Sequence, residues 1–360
     1  MKSRPETLVM LTPAFPASEQ ETSWVTTQQM FVRAYREQYP QLRIILLAFY
    51  YPDQIGTYDW RGLQVISFNG ANGGRRKLKR IFFWREVWNK LRQLHREHAV
   101  IGIFSFWCGE CALIGHYFGR RYGLPHYCWL CGQDAREQNK LVKWIRPRSG
   151  ELIAMSDFLV REFQRNHGVR PQHMIPNAIE PSMYPLVAAS ERKLDVLGVG
   201  SLSRLKQYDI FVESVGALKA IFPNIRAMIC GEGEAREELE QLIEERRLEE
   251  HVGLAGLTPH KEVLALMQQT RILLHTSNYE GFGVVCLEAL YAGAHVISFI
   301  RPMEQDIPHW HIVSSMDEMV EKAALLLGDP DTEYSPILPY QMSHTVRAVM
   351  QLFQKSYTHG

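Results

Sequence analysis

The fold is decided by the stretch Arg271-Ile-Leu-Leu-His-Thr-Ser-Asn-Tyr-Glu280-Gly-Phe-Gly-Val-Val-Cys-Leu-Glu288-Ala-Leu-Tyr-Ala-Gly293. Its first six residues form a short apolar run typical of a buried strand, and residues 284–292 have the pattern of a helix. Gly281 and Gly283, in the turn between them, let the backbone approach a ligand closely. The free N–H groups and the dipole of a helix that begins there favour an anion such as phosphate. The stretch therefore predicts an α/β sheet with a ligand site at the carboxyl edge of its strands.

Two carboxylates flank this predicted anion site. Glu280 lies in the turn, and Glu288 lies about one and a half turns into the helix. The helix dipole favours an acid in the first turn, but Glu288 is deeper than that. Both side chains can reach hydroxyl groups on either side of a phosphate. Taken alone, the pattern is equally compatible with two solvated surface glutamates.

Strands and helices alternate outward from this stretch over most of the chain, which predicts parallel sheets covered by helices on both faces. In the second half, strands are predicted at 194–199, 225–230, 251–255, 271–276 and 294–299, and helices at 206–221, 234–247, 260–269 and 284–292. In the first half, strands are predicted near 7–12, 42–49, 63–68, 99–106, 125–131 and 151–155, and helices near 22–38, 78–96 and 109–122.

A length of 360 residues suits two domains. Prolines and charged residues interrupt the alternation after Pro176 and continue to Lys193, which is typical of a linker. We therefore predict an N-terminal domain over 1–180, a linker over 181–193 and a C-terminal domain over 194–340, with a ligand cleft between the two domains. A closing helix over 341–360 can cross back to the first domain.

Charge is distributed unevenly along a chain whose formal net charge is +1. Residues 1–180 hold 25 Lys and Arg against 15 Asp and Glu, whereas residues 181–360 hold 15 against 24. This asymmetry indicates that the first half meets an anionic partner. No stretch reaches the roughly 18–20 apolar residues of a membrane span. The polar residues 1–6 lead straight into a strand without a cleavage site, so we expect no signal peptide and a cytoplasmic location.

A basic, aromatic helix at 75–96 indicates where an anionic partner can bind. Its start, Arg75-Arg-Lys-Leu-Lys-Arg80, leads into Ile81-Phe-Phe-Trp84-Arg-Glu-Val-Trp88-Asn-Lys-Leu91. Such a helix can lie on the inner face of a membrane. The alternative is that Trp84, Trp88 and Leu91 pack on the sheet while the basic side chains are solvated. Nucleic acid is not a predicted partner.

Two Cys-x2-Cys pairs, Cys108 with Cys111 and Cys128 with Cys131, have a spacing that is compatible with zinc. The second pair lies in a predicted strand, which points neighbouring side chains to opposite faces. We therefore predict free thiols, with zinc as the alternative.

Two other motifs are compatible with a metal site. Asp329-Pro-Asp331 follows a helix as a turn, and His309-x-His311 lacks a third ligand nearby. No metal site is predicted at either.

Four motifs in the second half resemble the donor site of retaining family 4 glycosyltransferases (glycosyl transferases group 1), which have the GT-B fold. They are Val199-Gly200-Ser-Leu-x3-Lys206, Ile229-Cys-Gly231-Glu-Gly233, Val252 to Gly256, and Glu280-Gly-Phe-Gly-x4-Glu288-Ala-x3-Gly293-x2-Val-Ile. In the first half, Ile153-Ala-Met-Ser156 and Ile175-Pro-Asn177-Ala-Ile resemble the approach to the linker of that family. The resemblance covers nearly all of 194–299 and implies two Rossmann-like domains.

The resemblance also implies roles for individual residues. Glu280 would contact the transferred sugar near the reacting carbon, Lys206 would hold the donor diphosphate, and Glu288 would bond the ribose. The full set of implied donor-site residues is Gly200, Arg204, Lys206, Gly256, Leu257, Glu280, Gly281, Phe282, Gly283 and Glu288.

The chain departs from the family pattern at three places. Ser201 stands where a basic residue is usual, and we predict that Arg204 supplies that charge, because its guanidinium suits phosphate oxygens. The segment 13–24 lacks the usual Gly-Gly loop after the first strand. Cys131 stands where a histidine is common, which leaves Asp134 as the candidate on the acceptor side.

The implied activity is transfer of a sugar from a UDP- or GDP-sugar to a glycan or lipid-linked acceptor. Configuration would be retained, and neither a metal nor another cofactor would be needed. Two alternatives stay open: a nucleotide-sugar epimerase or phosphorylase of the same fold, and a catalytically degenerate binder of sugar nucleotides.

Overall fold

A computed structural model describes residues 4–21, 25–70, 77–184 and 191–358. The chain forms two compact units, one of Met1–Asn177 together with Met342–Gly360, the other of Ala178–Gln341. Part of the predicted linker, residues 185–190, lies outside the described residues.

The first unit contains an eight-stranded sheet within the described residues, ordered β3-β4-β2-β1-β5-β6-β7-β8. Its strands are β1 (Glu6–Ala14), β2 (Arg43–Tyr51), β3 (Gly56–Trp60), β4 (Leu63–Ser67), β5 (Ala99–Phe106), β6 (His126–Leu130), β7 (Leu152–Ala154) and β8 (His173–Met174).

The prediction of an entirely parallel sheet is wrong at one edge. Strand β3 pairs antiparallel with β4, and Trp60 lies opposite Leu63. The two residues between them, Arg61 and Gly62, both have positive φ angles, of 49° and 76°. Two-residue hairpin turns of this kind need such angles at both positions. The Asp59 carboxylate accepts a hydrogen bond of 2.7 Å from the Gly62 amide, which stabilises the turn.

The second unit contains a six-stranded sheet within the described residues, ordered β11-β10-β9-β12-β13-β14, and all of its pairings are parallel. Its strands are β9 (Leu194–Val199), β10 (Ala227–Cys230), β11 (Val252–Gly256), β12 (Thr270–His275), β13 (His295–Ser298) and β14 (Trp310–Ile312). Buried side chains from the strands and helices, among them Val196, Phe211, Ile229 and Ile297, form its core.

Helices flank both sheets. They are α1 (Thr26–Gln38), α2 (Lys77–Glu97), α3 (Glu110–Tyr122), α4 (Val142–Ile145), α5 (Asp157–His167), α6 (Tyr208–Lys219), α7 (Arg236–Glu245), α8 (His260–Gln268), α9 (Val284–Tyr291), α10 (Met316–Gly328) and α11 (Met342–Thr358). No helix in the described ranges is both long enough and apolar enough to cross a bilayer.

The last helix, α11, packs on the first unit. The Tyr127 hydroxyl donates a hydrogen bond of 3.1 Å to the carbonyl of Leu352. Gly102 in β5 has no side chain, and a Cβ there would lie 2.5 Å from the ring of Phe353. Because that contact is too close for any Cβ, the absence of a side chain at 102 gives the helix its place against the sheet.

Helix α2 directs most of its apolar side chains inward. Val87, Leu91 and Leu94 are buried in the core of the first unit, and Trp84 and Trp88 pack against that core. The described residues thus favour the interpretation in which the aromatic stripe packs on the sheet. Two apolar side chains near the start of the helix are exceptions, since Ile81 is 57% exposed and Phe82 is 68% exposed. The preceding Arg75 and Arg76 lie outside the described residues.

All six cysteines are free thiols, and Cys108, Cys111 and Cys128 are buried. Within the described residues, no group of three or more His, Cys, Asp or Glu side chains is arranged to hold a metal ion.

Candidate functional site

The carboxyl edge of the second sheet brings Lys206 and Glu280 into contact. The Lys206 Nζ atom lies 2.6 Å from Glu280 Oε2, although the two residues are 74 positions apart in the sequence. Lys206 follows β9 and Glu280 follows β12, and these strands are neighbours in the sheet. The parallel pairing therefore places the two loops side by side.

Lys206 is held by the loop that contains it. The predicted helix start at 206 is wrong, because Arg204–Lys206 form a 3-10 turn and Gln207, with a φ angle of 48°, separates that turn from α6. The Thr276 hydroxyl donates a hydrogen bond of 2.7 Å to the carbonyl of Lys206 and so links this loop to the end of β12. A Cβ at Gly200 would lie 3.5 Å from Lys206 Cε, so the lysine stem passes close to that glycine.

Glycine in the neighbouring loop gives the Gly200 loop its support. The Gly200 amide donates a hydrogen bond of 3.0 Å to the carbonyl of Cys230, and the Leu202 amide donates one of 2.9 Å to that of Glu232. A Cβ at Gly231 would lie 1.8 Å from the Gly200 carbonyl oxygen, a distance that no side chain can occupy. The Gly-x-Gly element therefore stabilises the loop that presents Lys206.

The Glu280 carboxylate is ionised. Burial would raise its pKa, but His275 and the charge of Lys206 outweigh burial and lower the pKa to about 2. The His275 Nε2 atom lies 3.6 Å from Glu280 Oε2, which is beyond hydrogen-bond distance. Glu280 thus has a charged partner on one side and a neutral neighbour on the other.

The turn after Glu280 has the conformation that its glycines allow. Gly283 precedes α9 with a φ angle of 80°, in the left-handed region that favours glycine. The Gly281 amide lies 3.3 Å from Glu280 Oε1. The Phe282 ring is buried and packs edge-on against Trp310 and Tyr340, which orients the turn.

Glu288 is buried in α9 and already has two partners on one oxygen. Its Oε1 atom accepts hydrogen bonds of 2.9 Å from the Tyr184 hydroxyl and from His260 Nε2. No donor in the described part of the chain contacts its Oε2 atom. Burial would lower the pKa of His260, but the hydrogen bond and charge of Glu288 raise it above the ordinary value.

This pair makes a prediction for stability. Because the folded-state pKa of His260 is raised, its protonated form stabilises the fold fully below the unfolded pKa of about 6.5. That contribution is lost as pH rises through the folded-state pKa. We expect His260→Gln to lower the free energy of unfolding by about 1.5 kcal/mol at pH 6, the worth of a hydrogen bond between charged groups. The difference should shrink at pH 8.5 in urea titrations; a difference that does not change with pH contradicts the prediction.

Other implied donor-site residues lie apart from the Lys206–Glu280 pair. The Arg204 side chain is 82% exposed, and its Nη2 atom lies 3.4 Å from Glu238 Oε1. Leu257 is 80% exposed. Gly256 ends β11 with a φ angle of 74°, and its carbonyl accepts from the Gly231 amide. The roles implied for these three residues stay predictions.

Asp134, in the first unit, is buried at the end of β6. Its Oδ2 atom accepts a hydrogen bond of 2.7 Å from the Cys131 amide and caps the short 3-10 helix Gly132–Ala135. Burial raises its pKa to about 7, although hydrogen bonds from the backbone oppose that shift. The carboxyl group thus stabilises the turn, and its role toward an acceptor stays a prediction.

Sequence reasoning did not identify three residues around these carboxylates, namely His275, His260 and Tyr184. His275 is the last residue of β12 and His260 the first of α8, and a single polar residue at such a place carries no distinctive signal. Tyr184 falls in the segment that was predicted as linker, yet it belongs to the second unit.

Comparison with known proteins agrees with this geometry. Residues 187–331 match the family model for glycosyl transferases group 1. One relative, a phosphatidylinositol N-acetylglucosaminyltransferase from Arabidopsis thaliana, is 30% identical over 200 residues, which are 54% of this chain and 42% of that protein. Glycogen synthase of Mycobacterium tuberculosis is 27% identical over 179 residues, or 48% of this chain and 43% of that protein.

The match extends to solved structures. HepE of Anabaena, in complex with UDP-glucose, superposes with a TM-score of 0.67 and 15% identity over 98% of each chain. At that identity the likeness shows the fold alone. The chain spans about half the length of the curated relatives it matches. The family match and the two Rossmann-like units together show that this chain belongs to the group 1 glycosyl transferases, with the GT-B fold.

Proposed function

We propose that this protein is a glycosyltransferase that moves a sugar from a nucleoside-diphosphate sugar, a UDP- or GDP-sugar, to an acceptor hydroxyl. The observation that carries this proposal is the contact of 2.6 Å between Lys206 and Glu280 at the carboxyl edge of a parallel sheet. An ammonium group and a carboxylate at one point can serve the diphosphate and the sugar of the same donor. The match of residues 187–331 to a glycosyl transferase family supports it.

In this proposal Lys206 stabilises the leaving group. Negative charge grows on the diphosphate as the glycosidic bond breaks, and a cation placed there lowers the barrier. Lys206 would exchange Glu280 for the phosphate oxygens, and the start of α9 would add its N–H groups. Catalysis of this kind can proceed without a metal ion, and we propose that the reaction is metal-independent.

Glu280 and Glu288 would hold the two hydroxyl-bearing parts of the donor. Glu280, ionised and next to the turn glycines, would accept hydrogen bonds from the transferred sugar near its reacting carbon. Glu288 would accept from the ribose hydroxyls through Oε2, since Tyr184 and His260 occupy Oε1. We propose that the anomeric configuration is retained, as in the family 4 enzymes that the motifs resemble.

For the acceptor we propose a glycan or a lipid-linked molecule. The relative from Arabidopsis thaliana is named as a transferase acting on phosphatidylinositol, which makes such a lipid the first acceptor to assay. The excess of basic residues in the first half of the chain suits an acceptor that carries phosphate.

A panel of nucleotide sugars tests the proposal. Binding would be followed by thermal shift, and release of nucleoside diphosphate would be measured with and without phosphatidylinositol, before and after EDTA. We expect one donor to stabilise the protein and to turn over with acceptor present, at a rate that EDTA leaves unchanged. Binding to no donor contradicts the proposal, and binding without turnover with any acceptor favours the degenerate binder. Proton NMR of the product gives its anomeric configuration.

We also propose peripheral contact with the inner face of a membrane through α2. Ile81 and Phe82 are exposed side by side near the start of a helix with basic side chains, and such a surface suits an anionic bilayer. We expect the double variant Ile81→Ser/Phe82→Ser to bind phosphatidylserine-containing vesicles about tenfold more weakly in cosedimentation, because about 2 kcal/mol of apolar burial is lost. The control is Ile221→Ser, an exposed isoleucine of the second unit. Equal binding of both variants contradicts the proposal.

A further inference from the structure

The His275 ring is buried beneath Glu280. It is only 5% exposed, and neither ring nitrogen has a hydrogen-bond partner among the described residues. Burying a ring nitrogen without a partner costs about 1–3 kcal/mol. A buried polar group of this kind calls for an explanation in terms of a partner that arrives later or of function.

The packing around His275 directs this ring toward the proposed donor site. Its Nε2 atom lies 3.6 Å from Glu280 Oε2, and a Cβ at Gly283 would lie 3.9 Å from Nε2 and 3.4 Å from Glu280 Cγ. His275, Glu280 and the turn glycine are thus close neighbours. The next residue, Thr276, bonds the carbonyl of Lys206, so the end of β12 supports both members of the ion pair.

The ion pair between Lys206 and Glu280 belongs to the protein without a donor. A diphosphate carries more negative charge than one carboxylate and would draw the Lys206 ammonium away. The Glu280 carboxylate would then lose its charged partner while still largely shielded from water. Among the described residues, His275 is the remaining side chain with a hydrogen-bond donor placed near Glu280 Oε2.

We infer that His275 is a positioning residue: it takes over Glu280 when Lys206 moves to the donor diphosphate. The Nε2–H group donates to Glu280 Oε2 after a movement of a few tenths of an ångström, and it keeps the carboxylate oriented toward the sugar. This inference rests on the function proposed above. It assigns to His275 no contact with the donor itself.

The other groups that face Glu280 do not take this role. Cys286 and Tyr208 are both buried, which raises the pKa of each, so both stay neutral near neutral pH. Burial, opposed by Glu280, lowers the pKa of His275, and the charge of Lys206 lowers it further. His275 is therefore a neutral donor, and its bond to Glu280 does not depend on a second proton.

Three variants test the inference. His275→Gln keeps an N–H donor at about the reach of Nε2, whereas His275→Asn is shorter and His275→Leu has no donor. With a donor substrate that turns over, we expect kcat to fall about tenfold in the Leu and Asn variants and about twofold in the Gln variant. The affinity for nucleoside diphosphate, measured by thermal shift, should change less than twofold in all three.

A measurement without substrate separates this inference from the proposed function. In the Lys206→Met background, which imitates the departure of the lysine, the Glu280 carboxyl can be titrated by carbon-13 NMR. We expect adding His275→Leu to move the midpoint of that titration to clearly higher pH, and adding His275→Gln to leave it nearly unchanged. The same midpoint in both double variants, or a wild-type kcat in His275→Leu, overturns the inference. Failure of every donor to bind the wild-type protein overturns the proposed function instead and leaves the titration to decide the role of His275.

Discussion

Replacing Glu280 with alanine should lower the rate of sugar transfer by about 10³-fold while the protein stays folded, in line with losses on removal of a preorganised charge near a reacting carbon. Glu280 lies in a turn at the edge of the sheet and outside the buried core, so the fold does not depend on it. Steady-state kinetics with saturating donor measures the loss. Urea unfolding should show a change of about 1 kcal/mol, because a partly exposed ion pair contributes little.

Two further variants make this result specific. Glu280→Gln keeps the size of the side chain and removes its charge, and we expect it to lose nearly as much activity as the alanine variant. Glu262→Ala removes an exposed glutamate of α8 in the same unit and should act like wild type. Transfer at the wild-type rate by Glu280→Ala would refute the assignment of Glu280 to the catalytic site.

Replacing Lys206 with methionine should reduce kcat by about 10²-fold and weaken binding of the nucleoside diphosphate, because the charge that balances the diphosphate is removed. Methionine keeps most of the apolar stem beside Gly200, so the loop should retain its conformation. The change also leaves Glu280 without its cation, and its pKa should rise from about 2 toward the ordinary value. Activity and isothermal titration calorimetry with nucleoside diphosphate measure both effects.

Lys261→Met provides the matched control, since Lys261 is an exposed lysine of the same unit. It should bind nucleoside diphosphate as wild type does. If Lys206→Met binds the diphosphate with unchanged affinity and turns over at the wild-type rate, Lys206 does not serve the phosphate. Loss of activity with unchanged affinity would place its effect in the transition state alone.

Much of the second unit followed from local sequence. The alternation of apolar runs with helical patterns predicted strands that coincide with β9 to β13 within a few residues. These predictions succeeded because a strand buried on both faces reads as a continuous apolar run. The same pattern failed at β3 and β14, which lie at sheet edges and are short, so each contains too few residues for a period to show.

The sequence alone determined which residue types follow the strands of the second unit: a lysine after β9, glycines after β10, and two glutamates around a glycine turn after β12. Only the tertiary structure decided which of these side chains meet. The pairing of β12 with β9 brings Lys206 within 2.6 Å of Glu280, and the packing of Tyr184 and His260 on α9 occupies one oxygen of Glu288. His275 became visible only as a buried ring without a partner among the described residues. The physical reason is that contacts between residues 70 or more positions apart depend on strand order and burial, which no local pattern encodes.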